Sequence, residues 1–563
     1  MIAETEASKV EAEIAEFVRK MRVPIGDLSR LFGRKDGADL SAECAVLIWF
    51  LDAQIAFNQL DNELFREFVR TLKGSIASRS TVVASLLPVL HTYVVTEMRS
   101  ILQQCSSFWV TSDGFSRHFE RYVSQHYHLI TPSTFEYHIL CLDVIPFCGP
   151  KFAELLAGTL AERQRHWTGD LQPEPLLAGI VTDGESKFKA AGELLVGDDW
   201  QRCQNHLLKS VYELGESTSG QYLKDFTCMS TLAAHICSKG GVQRDMRVYQ
   251  IVNDLSEYVM VTYNDTRWEG RYRLVSRFRD LQATLCGVFE GDPFLDQLRE
   301  SVDDFLKASF FARCAAYVTV LERLNSVSLF YQHQSFPTGC FVPLLVQFML
   351  CATISTQMDP QFVIDFKTAF HNALKEKMGW ILTTPNNFLK AALMHPGVAK
   401  TLRGFVSKQV VEECTDSILS DACSLESADN DEFRKLAFKK YLEQLGDVIQ
   451  FPSIEVFPWH ALSARGESNG IDHLSFWRAA GQNRGPLSFL VGVAAMLLAM
   501  PAGESVDEVT FSSTGATMTK ERNRLSLMNV EQITVIRMFL RRYKWNPSKL
   551  DVFVKHARAS QSE

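Results

Sequence analysis

Ser106–Gly114 (SSFWVTSDG) and Leu177–Gly184 (LAGIVTDG) decide how this chain folds. Each is a short apolar or β-branched run closed by the same pair, Asp-Gly. A run of that kind, bounded by a turn signal, reads as a strand ending at a turn. Two more such runs lie between them, Tyr122–Ile130 and Phe135–Ile145, joined by Thr131-Pro132-Ser133. The first three segments therefore read as a meander of three strands. Lys151–Arg163 follows with a helical pattern, and SKFKAAGELL opens another helix straight after Asp183-Gly184.

Strand, strand, strand, helix, strand, helix is the opening order of a ribonuclease H-like α/β domain. Upstream, residues 7–75 read as helix: in SAECAVLIWFLDAQIAFNQL the apolar positions Ala45, Leu47, Ile48, Leu51 and Ile55 recur at helical spacing. Pro24 and Gly26 break the helix before that, and a third helix spans Thr81–Gln104. Downstream of residue 206 the strand signals fade. Residues 215–455 carry long helical patterns such as VDDFLKASFFARCAAYVTVLERLNSVSLFY. Ser417–Asp431, rich in Ser, Asp and Glu, is the best linker candidate, and Pro486–Lys555 returns to helices. The expected fold class is α/β: a ribonuclease H-like catalytic domain interrupted by a large all-α insertion, with an N-terminal helical region. The expected divisions are 1–104 for that N-terminal region and 105–214 for the first part of the catalytic domain. Residues 215–485 form the insertion, and 486–563 the C-terminal part of the catalytic domain.

At 563 residues the chain is too long for one simple core, and roughly two to four domains are expected. Hydrophobic residues at 46% and charged residues at 22% are globular proportions. The formal net charge of −8 counts against a broadly basic nucleic-acid binder. It leaves room for a local basic groove and for a carboxylate site neutralised by metal ions. The N-terminus, MIAETEASKVEAEIAEF, has no apolar core of a secretory signal, and no stretch reaches the roughly 18 apolar residues of a membrane span. The 13 cysteines, odd in number and scattered, are expected as reduced thiols in a cytosolic or nuclear protein.

Asp113 and Asp183 close two strands that an open sheet sets side by side, where strand-end residues converge on one site. Carboxylates brought together repel unless a cation lies between them, and Mg²⁺ favours carboxylate oxygens. The plainer reading is that Asp-Gly is a common turn pair and each Asp makes an Asx-turn. Spacing alone favours the plainer reading.

Further motifs stand in a fixed order along the chain. They are Val110–Arg117 (VTSDGFSR), Thr182–Phe188 (TDGESKF), Cys203–Leu208 (CQNHLL), Thr266-Arg267-Trp268 leading to Tyr272, and Ser335–Thr338 (SFPT). Last come Met500–Gly515 (MPAGESVDEVTFSSTG) and Arg522–Glu531 (RNRLSLMNVE). This series resembles the hAT superfamily of DNA transposases from about residue 45 onward. The C-terminal segment aligns without gaps to that family's dimerisation region. Phe115 stands where the family commonly has Trp, and Asp507 and Val509 stand where Ser and Arg are usual.

The resemblance implies a catalytic triad of Asp113, Asp183 and Glu508 holding two Mg²⁺ (or Mn²⁺) ions, with Glu504 the rival third ligand. It implies cut-and-paste chemistry: cleavage that leaves hairpins on the flanking DNA, then strand transfer. Double-stranded DNA (terminal repeats and target), a homodimer or larger oligomer, and a nuclear location follow from it. His206 would contact DNA near the active site, and Trp268 beside Arg267 would stack on an unstacked base. Bland readings stand beside these: Trp268 as a core residue, Cys203 and His206 as a packed thiol and a hydrogen-bonding imidazole. Cys-x-x-His is half a zinc site, and no second pair lies at suitable spacing. The basic segment Lys520–Arg524 (Lys520, Arg522, Arg524) and the pair Arg541-Arg542 read as phosphate contacts or as a solvated helix face. The BED-type zinc finger with which many of these transposases begin has no counterpart pattern. That absence, with the acidic charge, supports an alternative: a domesticated transposase acting as a DNA- or protein-binding regulator. A structure-specific nuclease without transposition is a third reading.

Overall fold

The computed structural model describes residues 46–52, 79–117, 120–147, 153–263, 270–425, 431–444, 474–482, 487–518 and 526–543, with single positions between 55 and 66. Most of the helical stretch expected over 7–75 lies outside these residues. At the centre is a five-stranded mixed sheet in the order β3-β2-β1-β4-β5. Strands β1 (Ser107–Arg117), β2 (Glu120–Ile130) and β3 (Tyr137–Pro146) form an antiparallel meander. β4 (Leu176–Thr182) and β5 (Trp200–Arg202) continue the sheet in parallel from β1. β5 has only three residues, too few to show a strand period in the sequence.

β1 outruns its expected end. The run closed by Asp113-Gly114 continues to Arg117, because β2 still offers partners beyond the end of β4: Phe115 pairs with Tyr122 and Arg117 with Glu120. Asp113 is therefore a mid-strand residue opposite Ser124.

Successive residues of a strand face opposite sides, and the two sides have different cover. Phe108, Val110 and Ile180 pack with Leu90, Val94 and Met98 of α1 (Leu87–Leu102), which follows a π-helical turn at Val82–Leu86. Val123 packs among Leu156, Leu160, Phe188 and Ala191 of α2 (Ala153–Thr168) and α3 (Ser186–Val196). Trp109 and Val181 face the other way, into a core shared with the long helices that follow β5.

Those helices include α4 (Gln204–Thr218), α5 (Gly220–Ser238), α6 (Ala308–Tyr331) and α7 (Gln361–Met378), and no strand occurs among the described residues after β5. Arg313 of α6 ties them internally. It donates bidentately to Asp225 of α5 at 2.7 and 2.8 Å and reaches Asp304 at 2.6 Å. The expected linker Ser417–Asp431 is helical at its start, within a helix over Lys408–Leu425. Cys414, Ile418 and Ala422 recur every four residues and are all buried, so this polar-looking segment is anchored by one apolar stripe.

The chain then returns to the sheet. Met496 of α8 (Val491–Leu498) accepts a hydrogen bond from Trp109 Nε1 at 2.9 Å. α9 (Ser505–Thr517) packs on β1 and β2, and α10 (Leu527–Tyr543) packs on β3, α1 and α9. Cys105, Cys141, Cys203, Cys228, Cys237, Cys286, Cys314, Cys340, Cys351 and Cys414 are free thiols. No helix among the described residues is long and apolar enough to cross a membrane.

Candidate metal centre

Strand register brings the two aspartates together. Thr111 pairs with Val181 across the parallel β1–β4 ladder. Asp113 stands two residues further along β1, and Asp183 is the first residue beyond the end of β4. Asp183 leaves β4 at a turn in which Gly184 has φ +88°, and a Cβ there would strike the Arg202 side chain, so glycine answers both demands. Asp183 Oδ1 accepts the Glu185 N–H at 2.7 Å. This is the Asx-turn of the plainer reading, and it also fixes the carboxylate. Asp113 Oδ1 accepts the Gly114 N–H at 2.6 Å.

α9 supplies the third side. Glu504 is its N-cap residue, and Asp507 and Glu508 lie in its first turn, where the positive end of the helix dipole favours acids. The three acids have different surroundings. Asp507 is fully buried and accepts from Ser124 Oγ, and its Oδ1 lies 2.8 Å from His126 Nδ1. His126 Nε2 lies 2.8 Å from Thr510 Oγ1, whose own hydroxyl donates to Val506 O. Burial opposes charge on His126, but the Cys141 sulfur and the Asp507 carboxylate outweigh it and push its pKa up to about 10. The imidazolium thus clamps α9 to β2. Phe115 adds to the clamp, stacked on Tyr122 at 5.1 Å and set against Phe511 of α9 at 4.3 Å.

Glu508 is half-buried. Asp113 is held well above the usual carboxylate range by its burial, then by Asp507, with Asp183 and Glu508 adding to the effect against the Gly114 N–H. Glu504, only 1% exposed, is pushed well up by burial and by Cys203, Asp113, Asp507 and Asp183. Carboxylates forced together in this way favour a bound cation over their own charge.

The oxygens of Asp113, Asp183 and Glu508 are not among the ligand atoms that lie within 4.8 Å of one another; that tight group is Cys203, His206 and Glu504. A pair of ions about 4 Å apart draws ligands from both sides, so three acids around it need not converge to that degree. An all-oxygen, partly open donor set suits Mg²⁺ or Mn²⁺. The chemistry of Asp113, Asp183 and Glu508 is of that kind.

The loop before α9 joins motifs far apart in sequence. Gln204 N–H donates to Ala502 O at 2.9 Å, Ala502 N–H to Thr338 Oγ1 at 3.1 Å, and Gly339 N–H to Met500 O at 3.1 Å. Cys203 N–H donates to Thr182 O at 2.7 Å. His206, in the first turn of α4, has its Nδ1 2.8 Å from Glu504 Oε1. Burial, Arg202 and Lys209 lower its pKa to about 4, so it is a neutral imidazole. Arg267, Trp268, Lys520, Arg522 and Arg524 lie outside the described residues. Arg542 is not a free phosphate contact: it donates to Gln334 O and to Tyr137 O and lies over the Tyr137 ring.

Ser124, His126 and the anchoring role of Asp507 were missed in the sequence. The available signal was the polar residues Ser124, His126 and His128 at alternate positions of β2. In comparison with known proteins, no family model matches the chain, and no curated protein matches it.

Proposed function

We propose that this chain is a DNA transposase of the hAT type, cutting and joining phosphodiester bonds with divalent metal ions on a ribonuclease H-like sheet. The observation that carries the reading is the meeting of motifs from distant parts of the chain at one carboxylate cluster. Asp183 follows Asp113 by 70 residues, whereas Glu508 comes 325 residues after Asp183 and still lies close enough to disfavour charge on Asp113. The strand order, an antiparallel meander extended by two parallel strands, supports the ribonuclease H-like assignment.

In this reading Asp113, Asp183 and Glu508 hold two Mg²⁺ or Mn²⁺ ions, which supply Lewis-acid stabilisation of the attacking and leaving oxygens. The protein's own part is position. Asp113 is fixed within β1 by its pairing with Ser124 of β2, two residues past the last β1–β4 pair. Asp183 is fixed by its Asx-turn, and Glu508 by a helix pinned through Asp507 to Ser124 and His126. His206, one edge of which remains exposed, stands where a DNA strand would approach. Synapsis of two DNA ends requires at least two copies, so a homodimer or larger oligomer acting in the nucleus belongs to the same proposal.

The test is incubation of the full chain with supercoiled plasmid in Mg²⁺, Mn²⁺ or EDTA, with Asp183→Ala as control. Metal-dependent nicked and linear products that vanish in the variant support the proposal. Retarded DNA without cutting in either metal, by a folded protein, replaces it with the domesticated regulator.

A further inference from the structure

We infer that Cys203, His206 and Glu504 form a second cation site, for one soft divalent ion of the Zn²⁺ class, distinct from the Asp113–Asp183–Glu508 cluster. The inference does not depend on the proposed DNA chemistry. One thiol sulfur, one imidazole nitrogen and one carboxylate oxygen lie within 4.8 Å of one another. Ligands held about 2.0–2.3 Å from a tetrahedral ion stand roughly 3.3–3.8 Å apart, so this set needs little closing. Sulfur and imidazole donors select Zn²⁺ over Mg²⁺, whereas the neighbouring all-oxygen cluster selects the reverse.

Glu504 is the independent sign of a missing partner. Its side chain is 1% exposed, and neither carboxylate oxygen accepts a hydrogen bond. A buried carboxylate is ordinarily hydrogen-bonded, ion-paired or bound to a metal. The His206 ring stands against it, with Nδ1 2.8 Å from Oε1. Those two atoms are the ones a shared ion would join.

Burial pushes the Cys203 thiol up to about 12, and the backbone around the sulfur opposes that with donors a bound thiolate could accept from. Cys203 is the N-cap residue of α4, where the helix dipole favours negative charge. The N–H groups of Glu504, His206 and Asn205 are directed at its sulfur. A Cβ on Gly503 would stand 2.9 Å from that sulfur, so the loop closes on it only because residue 503 is glycine. The His206 side chain is 28% exposed, so the group is not sealed from solvent. Glu504 lies 298 residues after His206, which is why spacing showed only half a site. An ion here would tie the start of α9, and with it Glu508, to the start of α4.

The test uses the full chain stripped with EDTA and titrated with Co²⁺ in excess Mg²⁺. The expected result is about one Co²⁺ per chain, with a thiolate-to-cobalt charge-transfer band and the intense visible absorption of a four-coordinate ion. Cys203→Ser should abolish the charge-transfer band, and Glu504→Gln should weaken binding at least about tenfold, as loss of one ligand does. Asp183→Ala should leave both intact. Absence of the band from the wild-type chain overturns the inference whatever the variants do, and so does a band that survives Cys203→Ser. Loss of the band in a folded Asp183→Ala protein overturns the claim of two separate sites. None of these readouts requires DNA cutting, so failure of that activity leaves this site to be judged alone.

Discussion

Asp507 is enclosed by Ser124 and His126, while the next residue, Glu508, stays half-buried near Asp113. Removing each should have a different consequence. Asp507→Ala strands a buried imidazolium and should cost about 3–5 kcal/mol of stability. Glu508→Ala removes one of several repelling carboxylates and should change stability by no more than about 1 kcal/mol. Urea melts in EDTA measure both; a Glu508→Ala loss as large as that of Asp507→Ala would contradict the division of roles. Within the hAT resemblance, Asp507 was a departure from the usual Ser. Its physical account is the His126 imidazolium, a partner that no local pattern around residue 507 could disclose. The places of Asp113 and Asp183, by contrast, were legible as the close of recognisable apolar runs, although β1 continues past Asp113.

At the scale of elements, the loop Met500–Glu504 is held by backbone bonds to Gln204 and Gly339 and by the Thr338 side chain. Gly339 touches this loop so closely that a Cβ would strike Met500 O, a backbone atom that cannot swing aside. Gly339→Ala should therefore cost about 1–3 kcal/mol, the usual penalty for overpacking, measured by chemical melts. In the helical region, Arg313→Ala would leave the fully buried Asp225 without its bidentate partner, a loss of about 3–5 kcal/mol. The same network has a pH signature. Hydrogen bonds from Arg313 outweigh burial at Asp304 and hold its pKa at about 2, against an ordinary 3.8. A carboxyl depressed on folding stabilises the fold above its unfolded value, and that contribution disappears as pH falls through the folded one. The stability gap between wild type and Asp304→Asn should therefore be full above pH 3.8 and shrink toward pH 2. A gap constant across that window would contradict the assignment.

Over the whole molecule, the sheet and the long helices share apolar contacts. Trp109, Ile130 and Val181 belong to the same core as Leu232, Phe310 and Leu393. Far-UV and tryptophan signals should accordingly lose structure together in urea, and a first transition confined to the helices would contradict a shared core. At this scale the sequence was informative about strands β1 to β4 and the helices between them, since each is a patterned run bounded by turn residues. It was silent on β5, whose three residues carry no period, and misleading at Ser417–Asp431, where polar composition masked the buried stripe of Cys414, Ile418 and Ala422. The contacts that build the site from Glu504 and Asp507 are long-range and lie beyond any local pattern.

The most direct test of the central claim is cleavage of an end-labelled DNA duplex by the full chain, with products resolved on a denaturing gel. Wild type should produce Mg²⁺- or Mn²⁺-dependent cuts, and Asp113→Ala, Asp183→Ala and Glu508→Ala should each abolish them while remaining folded. Cuts of undiminished strength from any one of those variants would contradict the account.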